Sequence, residues 1–146
     1  MITTKGFSLL ELIVAIAIFS LGSLAAGYLI LDASITSRLG VELSEATSVA
    51  REGIEAVGSI RDASYTAMPT GASLSLRNVT GLAWSLDGSS DIQLSKYTRI
   101  ISISKTVTGT SSQYYAVVTS TVNWLNARNA TDTVNLVTRF TNWRNP

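Results

Sequence analysis

The chain has no cysteine and no histidine among its 146 residues. Those absences exclude disulfide stapling, zinc and haem sites built on such ligands, and nucleophilic catalysis of the Ser-His or Cys-His kind. Charge is scarce too: 14% of residues are charged, and 11 basic against 10 acidic side chains leave a net +1. So even a balance gives no electrostatic footprint for nucleic acid and no polybasic surface for anionic lipid. The glycines are scattered, with no phosphate-binding loop, and no convergent carboxylate pair or nucleophile setting is visible. The chain reads as a non-enzyme with no cofactor and no metal. What it has in excess is apolar character, with a hydrophobic fraction of 46% and a mean hydropathy of +0.29. That is high for a wholly soluble chain and points to a membrane segment.

The surplus sits at the N-terminus. From Phe7 to Leu31 the chain reads FSLLELIVAIAIFSLGSLAAGYLIL, with Glu11 as its one charged side chain. A helix over the uncharged run Leu12 to Leu31 would be about 30 Å long, the thickness of a bilayer's hydrocarbon core. Lys5 before the run and Asp32 after it put Met1 to Gly6 in the cytoplasm and the rest of the chain outside. A cleavable signal peptide cut after Ala25 and a plain single-pass anchor are two readings of this segment. Glu11 argues against both, because a carboxylate at depth costs about 2.5 kcal/mol or more and gains nothing in either role. An intramembrane carboxylate calls for a cation, yet no Lys or Arg lies between Lys5 and Arg38. Cleavage after Gly6 would create one, the free amine of Phe7.

The run Lys5-Gly6-Phe7-Ser8-Leu9-Leu10-Glu11-Leu12 resembles the processing site of type IV prepilins and of the pseudopilins of secretion and DNA-uptake systems. The resemblance implies cleavage between Gly6 and Phe7 by a prepilin peptidase, N-methylation of Phe7, and Glu11 as the fifth mature residue. It further implies pairing of Glu11 with the Phe7 ammonium of a neighbouring subunit. Other pilin or pseudopilin subunits, an inner-membrane assembly platform and the lipid bilayer are the implied partners. The physics agrees: each charge is costly alone in hydrocarbon, and pairing offsets much of that cost and fixes register. Ala15, Ala17, Gly22, Ala25, Ala26 and Gly27 would let helix backbones approach closely, though ordinary transmembrane composition explains them as well.

Past the apolar run, Ile35, Leu39, Leu43, Ala46, Ala50, Ile54, Val57 and Ile60 recur at spacings of three and four. That is one stripe of a helix continuing to between Asp62 and Tyr65, before the loop marked by Pro69 and Gly71. Gly40, Gly53 and Gly58 weaken an isolated helix, so this half needs a packing surface. Glu42, Glu45, Glu52 and Glu55 read as a solvated face, with docking on a neighbouring subunit as the alternative.

The remainder reads as strands. Leu74/Leu76 and Leu82/Trp84/Leu86 alternate about a turn at 78–81. Ile101, Ile103 and Val107 share one side of the run from Tyr97 to Val107. Tyr114, Ala116, Val118, Val122 and Trp124 share a face of the next run, and Val134, Leu136 and Phe140 of the last. Turns at 108–112 and 126–130 join these three into an antiparallel meander. Asp87 to Asp91 reads as a solvated turn in preference to a calcium loop. The sequons at Asn78 and Asn129 are too common a pattern to weigh.

The expected fold is α+β: a long N-terminal helix, membrane-spanning in its first half and amphipathic in its second, laid on an antiparallel sheet. Its expected parts are a leader (1–6), a transmembrane or filament-core helix (7–31), its amphipathic continuation (32–65) and an extracytoplasmic β-domain (66–146). The expected function is a structural subunit of a type IV pilus, type II secretion or DNA-uptake filament. The expected location is the cytoplasmic membrane first, then a surface or periplasmic filament. A minor pilin or pseudopilin is favoured, since the chain lacks the C-terminal cysteine pair and has Tyr28 where many major pilins carry a helix-kinking proline. The alternatives are a single-pass anchored β-domain that binds a surface ligand, and a secreted β-protein released at Ala25.

Overall fold

The computed structural model describes residues 8–78, 83–108 and 113–142. Helix α1 runs from Leu9 to Ala63. Six strands follow: β1 (Gly71–Asn78), β2 (Trp84–Asp87), β3 (Asp91–Gln93), β4 (Tyr97–Thr108), β5 (Gln113–Leu125) and β6 (Thr131–Thr141). The chain divides into two compact units, residues 1–38 and 39–146.

In the first unit α1 is exposed apart from half-buried Ile35, and from Leu12 to Leu31 it carries no charged side chain. Its most apolar window has a mean hydropathy of 2.3 and is 0% buried.

In the second unit α1 continues from Leu39 to Ala63 and packs on one face of the sheet. The strand order is β2-β1-β4-β5-β6, with β3 pairing the start of β4 beside β1. All pairings are antiparallel, so the meander expected over 97–140 is present. Two apolar clusters fill the layer between helix and sheet. Ala46, Val49 and Ala50 meet Tyr97, Val122 and Trp124. Ala56 and Val57 meet Leu76, Ile101, Ile103, Ala116 and Val118, with Met68 closing that end. The expected inward rows therefore hold, while Leu82, Trp143, the turns at 79–82 and 109–112, and the side chains of Val107 and Tyr114 lie outside the described residues.

Two details differ from the sequence expectation and a third extends it. Leu43, expected on the buried stripe, is 51% exposed, because the sheet-facing line of α1 passes through half-buried Glu42 and fully buried Ala46 instead. Residues 91–93 form β3, a strand absent from the expected elements, and Asp91, expected in the turn from Asp87, is its first residue. Its link to β4 is three residues, Leu94 at φ 51°, Ser95 at φ 56° and Lys96, whose N donates to Gln93 O at 3.1 Å. Left-handed pairs suit strand twist but are usually Asn-Gly, which is why Leu-Ser gave no signal. Gly88, at φ 74° and facing Ser75 Oγ, makes the preceding bend between β2 and β3, where a Cβ would be both strained and crowded.

Gly53 is the third detail. The sequence alone makes it a weak point of the helix; the structure makes it the point of closest approach to the sheet. A Cβ there would lie 2.7 Å from Ser120 Oγ, 3.0 Å from Ile101 Cδ1 and 3.1 Å from Arg99 Cδ. Gly53→Ala is therefore expected to lower stability by about 1–3 kcal/mol through overpacking, net of about 1 kcal/mol gained in helix propensity. The urea midpoint of the full chain in detergent measures it, and adding Ser120→Ala should recover part of the loss. A Gly53→Ala chain as stable as the parent would show that the sheet yields at this point.

Candidate functional site

Two sets of residues stand out from the rest of the molecule. The first is the N-terminal part of α1. Leu9, Leu10, Leu12, Ile13, Ile16, Phe19, Leu24 and Leu31 are each more than half exposed. A row of that kind on a water-facing helix is the signature of a membrane or a partner surface. Glu11 lies in the first turn, where the helix dipole favours a negative charge. Ser8 and Glu11 also have the spacing of a capping box, an ordinary use for this glutamate that the sequence reading did not consider. Neither reciprocal side-chain bond of that box forms among the described residues. Ser20 Oγ turns back to Ile16 O at 2.7 Å, which hides its hydroxyl from a hydrocarbon surrounding. Gly6 and Phe7, the expected processing residues, lie outside the described residues.

The second set joins α1 to the sheet, and most of it escaped the sequence reading. Arg99 is fully buried on β4, on the inward row between Tyr97 and Ile101. Its guanidinium grips Asp91 of β3, with Nη2 to Oδ2 at 2.7 Å and Nε to Oδ1 at 3.3 Å. Nη1 donates to Val49 O of the helix at 3.1 Å and lies 3.7 Å from Glu52. Asp91 also accepts from Gln93 Nε2 at 2.6 Å and from Leu76 N at 3.4 Å. Asp91 is thus no part of a solvated turn, which corrects that reading: an internal cation occupies its carboxylate. Among the described residues no group of three or more acidic side chains could hold a metal ion.

Nearer the start of this unit, Glu42 receives Lys96 Nζ at 2.6 Å and Ala127 N at 3.1 Å. One helical carboxylate therefore holds both the β3–β4 and the β5–β6 turns. Glu45 accepts from Tyr97 Oη at 2.6 Å. Burial, and then Glu45, push the Tyr97 phenol well above its usual range. The acidic set is accordingly not a simple solvated face: Glu42, Glu45 and Glu52 engage the sheet of their own chain, and Glu55 is left exposed. A charged side chain at the rim of a packed face shows in sequence only as "off the stripe", so its partner on a distant strand is invisible.

The Lys96 bond, followed by the Ala127 bond and the Lys96 charge, holds Glu42 below its ordinary 4.5 despite some opposing desolvation. A carboxylate lowered in the folded state contributes stability that is present above 4.5 and is lost as pH falls below it. Thermal stability should therefore drop less between pH 6 and pH 3 in Glu42→Gln than in the parent, with the variant less stable at pH 6. Parallel pH profiles for the two chains would show that Glu42 carries none of the acid sensitivity.

Residues 1–27 fit the prokaryotic N-terminal methylation motif. The chain therefore carries a type IV pilin-like prepilin segment, joined to a helix-on-sheet α+β fold of the pilin-like kind. The motif together with the exposed apolar helix points to a membrane-anchored protein. Neither the curated proteins nor the solved structures gave a match to the chain.

Proposed function

We propose that this chain is a structural subunit of a type IV pilus, type II secretion or DNA-uptake filament, most in keeping with a minor pilin or pseudopilin. In this reading it enters the cytoplasmic membrane with residues 1–6 inside. A prepilin peptidase cuts between Gly6 and Phe7, and Phe7 is N-methylated. Assembly then moves the apolar half of α1 from lipid into a bundle of like helices, on an inner-membrane platform. The observation that carries the reading is the pairing of the N-terminal methylation motif with an apolar helix surface that is wholly exposed in the single chain. Such a surface is stable only in lipid or against other helices. Glu11 supplies register: its carboxylate pairs with the Phe7 ammonium of the adjacent subunit, which in a minor subunit is a chain of another type.

Shear fractionation of the native host tests this. The chain is expected both in membranes and in the sheared filament fraction, at low abundance relative to the main subunit if it is minor. Recovery from membranes alone would favour an anchored β-domain that binds a surface ligand, and would count against the filament.

A further inference from the structure

We propose that copies of this chain join edge to edge, with β2 of one copy adding in parallel to β6 of the next. The inference rests on the filament reading for two points: neighbouring copies share a direction, and copies of this chain stand next to one another even where another subunit is the more abundant.

Among the described residues the sheet has two open edges, and they are unlike. β6 is 11 residues long and pairs with β5 without interruption from Thr131 to Thr141. It has neither proline nor bulge, and its two charges, Asp132 and Arg139, leave the stretch from Thr133 to Thr138 between them without the devices that usually guard a long edge from further pairing. β2, at the opposite edge, has 4 residues. Each strand is antiparallel to its neighbour along β2-β1-β4-β5-β6, so β2 and β6 run in the same direction. Two copies side by side with one orientation can therefore continue the sheet only by a parallel pairing of these two edges.

The faces agree as well. On β6, Val134, Leu136 and Phe140 point to the helix layer but stay half-buried, while Val137 on the other face is 64% exposed. On β2, Trp84 and Leu86 point to the helix layer. Ser85 and Asp87 occupy the opposite face. A register that sets Trp84 beside Leu136 sets Ser85 beside Val137, Leu86 beside Thr138 and Asp87 beside Arg139. The apolar row then continues across the junction, and the two charges meet on the outer face.

Charge selects this partner over a symmetric one. Arg139 stacks over the Tyr115 ring at 5.3 Å and has no carboxylate partner among the described residues. Asp87 is 56% exposed and reaches Arg77 only at 3.8 Å, a contact of little strength. In an antiparallel pairing of two β6 edges, the outward-bonding residues of one strand oppose the outward-bonding residues of the other, so only positions of the same parity meet. The row of Arg139 is Thr131, Thr133, Asn135, Val137 and Thr141, which offers no carboxylate. Such a pair would also reverse the direction of residues 39–63 in one copy. A β2-to-β6 contact is heterologous and does not use up its own surfaces, so it repeats from copy to copy.

The absence of cysteine makes the test direct. Strands in one sheet lie about 4.8 Å apart, within the Cα range of a disulfide. Asp87→Cys and Arg139→Cys are introduced together in the full chain, expressed in the native host, and oxidised mildly in membranes and sheared filaments. The double variant should give a ladder of dimers, trimers and larger species. Co-expressed single variants should stop at dimers, and each single variant alone should give none. Asp87→Arg should lower filament recovery several-fold, and adding Arg139→Asp should restore it. Dimers from Arg139→Cys alone would mean β6 pairs with β6, which overturns the proposal. No ladder from a double variant present in the sheared fraction would overturn the contact and leave the filament reading intact. A parent chain missing from that fraction would instead sink the filament reading, and a membrane ladder would then show the contact to be independent of it.

Discussion

Replacing Glu11 by valine is expected to leave membrane insertion at the parental level and to cut recovery in sheared filaments by about a hundredfold. Insertion follows from the apolar run after Glu11 and improves, if anything, when a carboxylate is removed. Assembly is different. In the proposed filament the Phe7 ammonium of one subunit and the Glu11 carboxylate of another are both out of water. Removing one member of such a pair leaves the other buried and uncompensated, at a cost of about 3 kcal/mol or more, which corresponds to a hundredfold or more in an equilibrium. Glu11→Gln, which keeps the shape and removes the charge, should fail nearly as badly. The capping-box role makes the opposite demand: it is worth about 1 kcal/mol in helix stability, and glutamine serves in it. A normal filament yield from Glu11→Gln with a poor yield from Glu11→Val would therefore assign Glu11 to the cap. Normal yields from both would remove the charge pair altogether.

Arg99→Met should be the most damaging single change in the β-unit, lowering its stability by about 3–5 kcal/mol. Folded domains are stable by only about 5–15 kcal/mol, so the variant should unfold at or near growth temperature. The loss comes mainly from what is stranded: Asp91, whose side chain is 13% exposed, loses its cation, and Val49 O loses a donor. Pairing Arg99→Met with Asp91→Leu should recover most of the stability, because both charges then leave the interior together. Chemical unfolding of the full chain in detergent, followed by tryptophan fluorescence, reads both variants. A cost below about 1 kcal/mol for Arg99→Met would mean that apolar packing alone fastens β3 and α1 to β4.

These two residues mark where sequence reasoning reached and where it stopped. Glu11 stood out because it interrupts an apolar run, and a carboxylate there has to be explained by chemistry near it in sequence. The helix end near Ala63 and the inward rows of β4, β5 and β6 were legible for a similar reason, since periods of 3.6 and 2 are local signals. Arg99 carried a signal too: it occupies an inward position between Tyr97 and Ile101, and an inward arginine implies a buried carboxylate. Identifying that carboxylate as Asp91 needed the turn at Leu94-Ser95, whose residues are not those of a typical left-handed pair. The partnership of Glu42 with Lys96 and Ala127 depends on contacts over 54 and 85 residues, and no periodicity encodes such pairings. At Gly53 sequence shows only the need for a packing surface, because helix propensity counts what a residue does to its own helix and not what approaches from outside.

If the apolar half of α1 becomes a processed assembly surface, the mature N-terminus of the chain records the processing. Intact-mass and N-terminal peptide mass spectrometry should be run on the chain from native membranes and from sheared filaments. The account predicts a chain beginning at N-methylated Phe7 in the filament fraction, with residues 1–6 absent. A chain that keeps Met1 to Gly6 and occurs only in membranes would contradict it in favour of a tethered β-domain. A chain beginning at Ala26 would show that the apolar run is a signal peptide and that no filament helix exists.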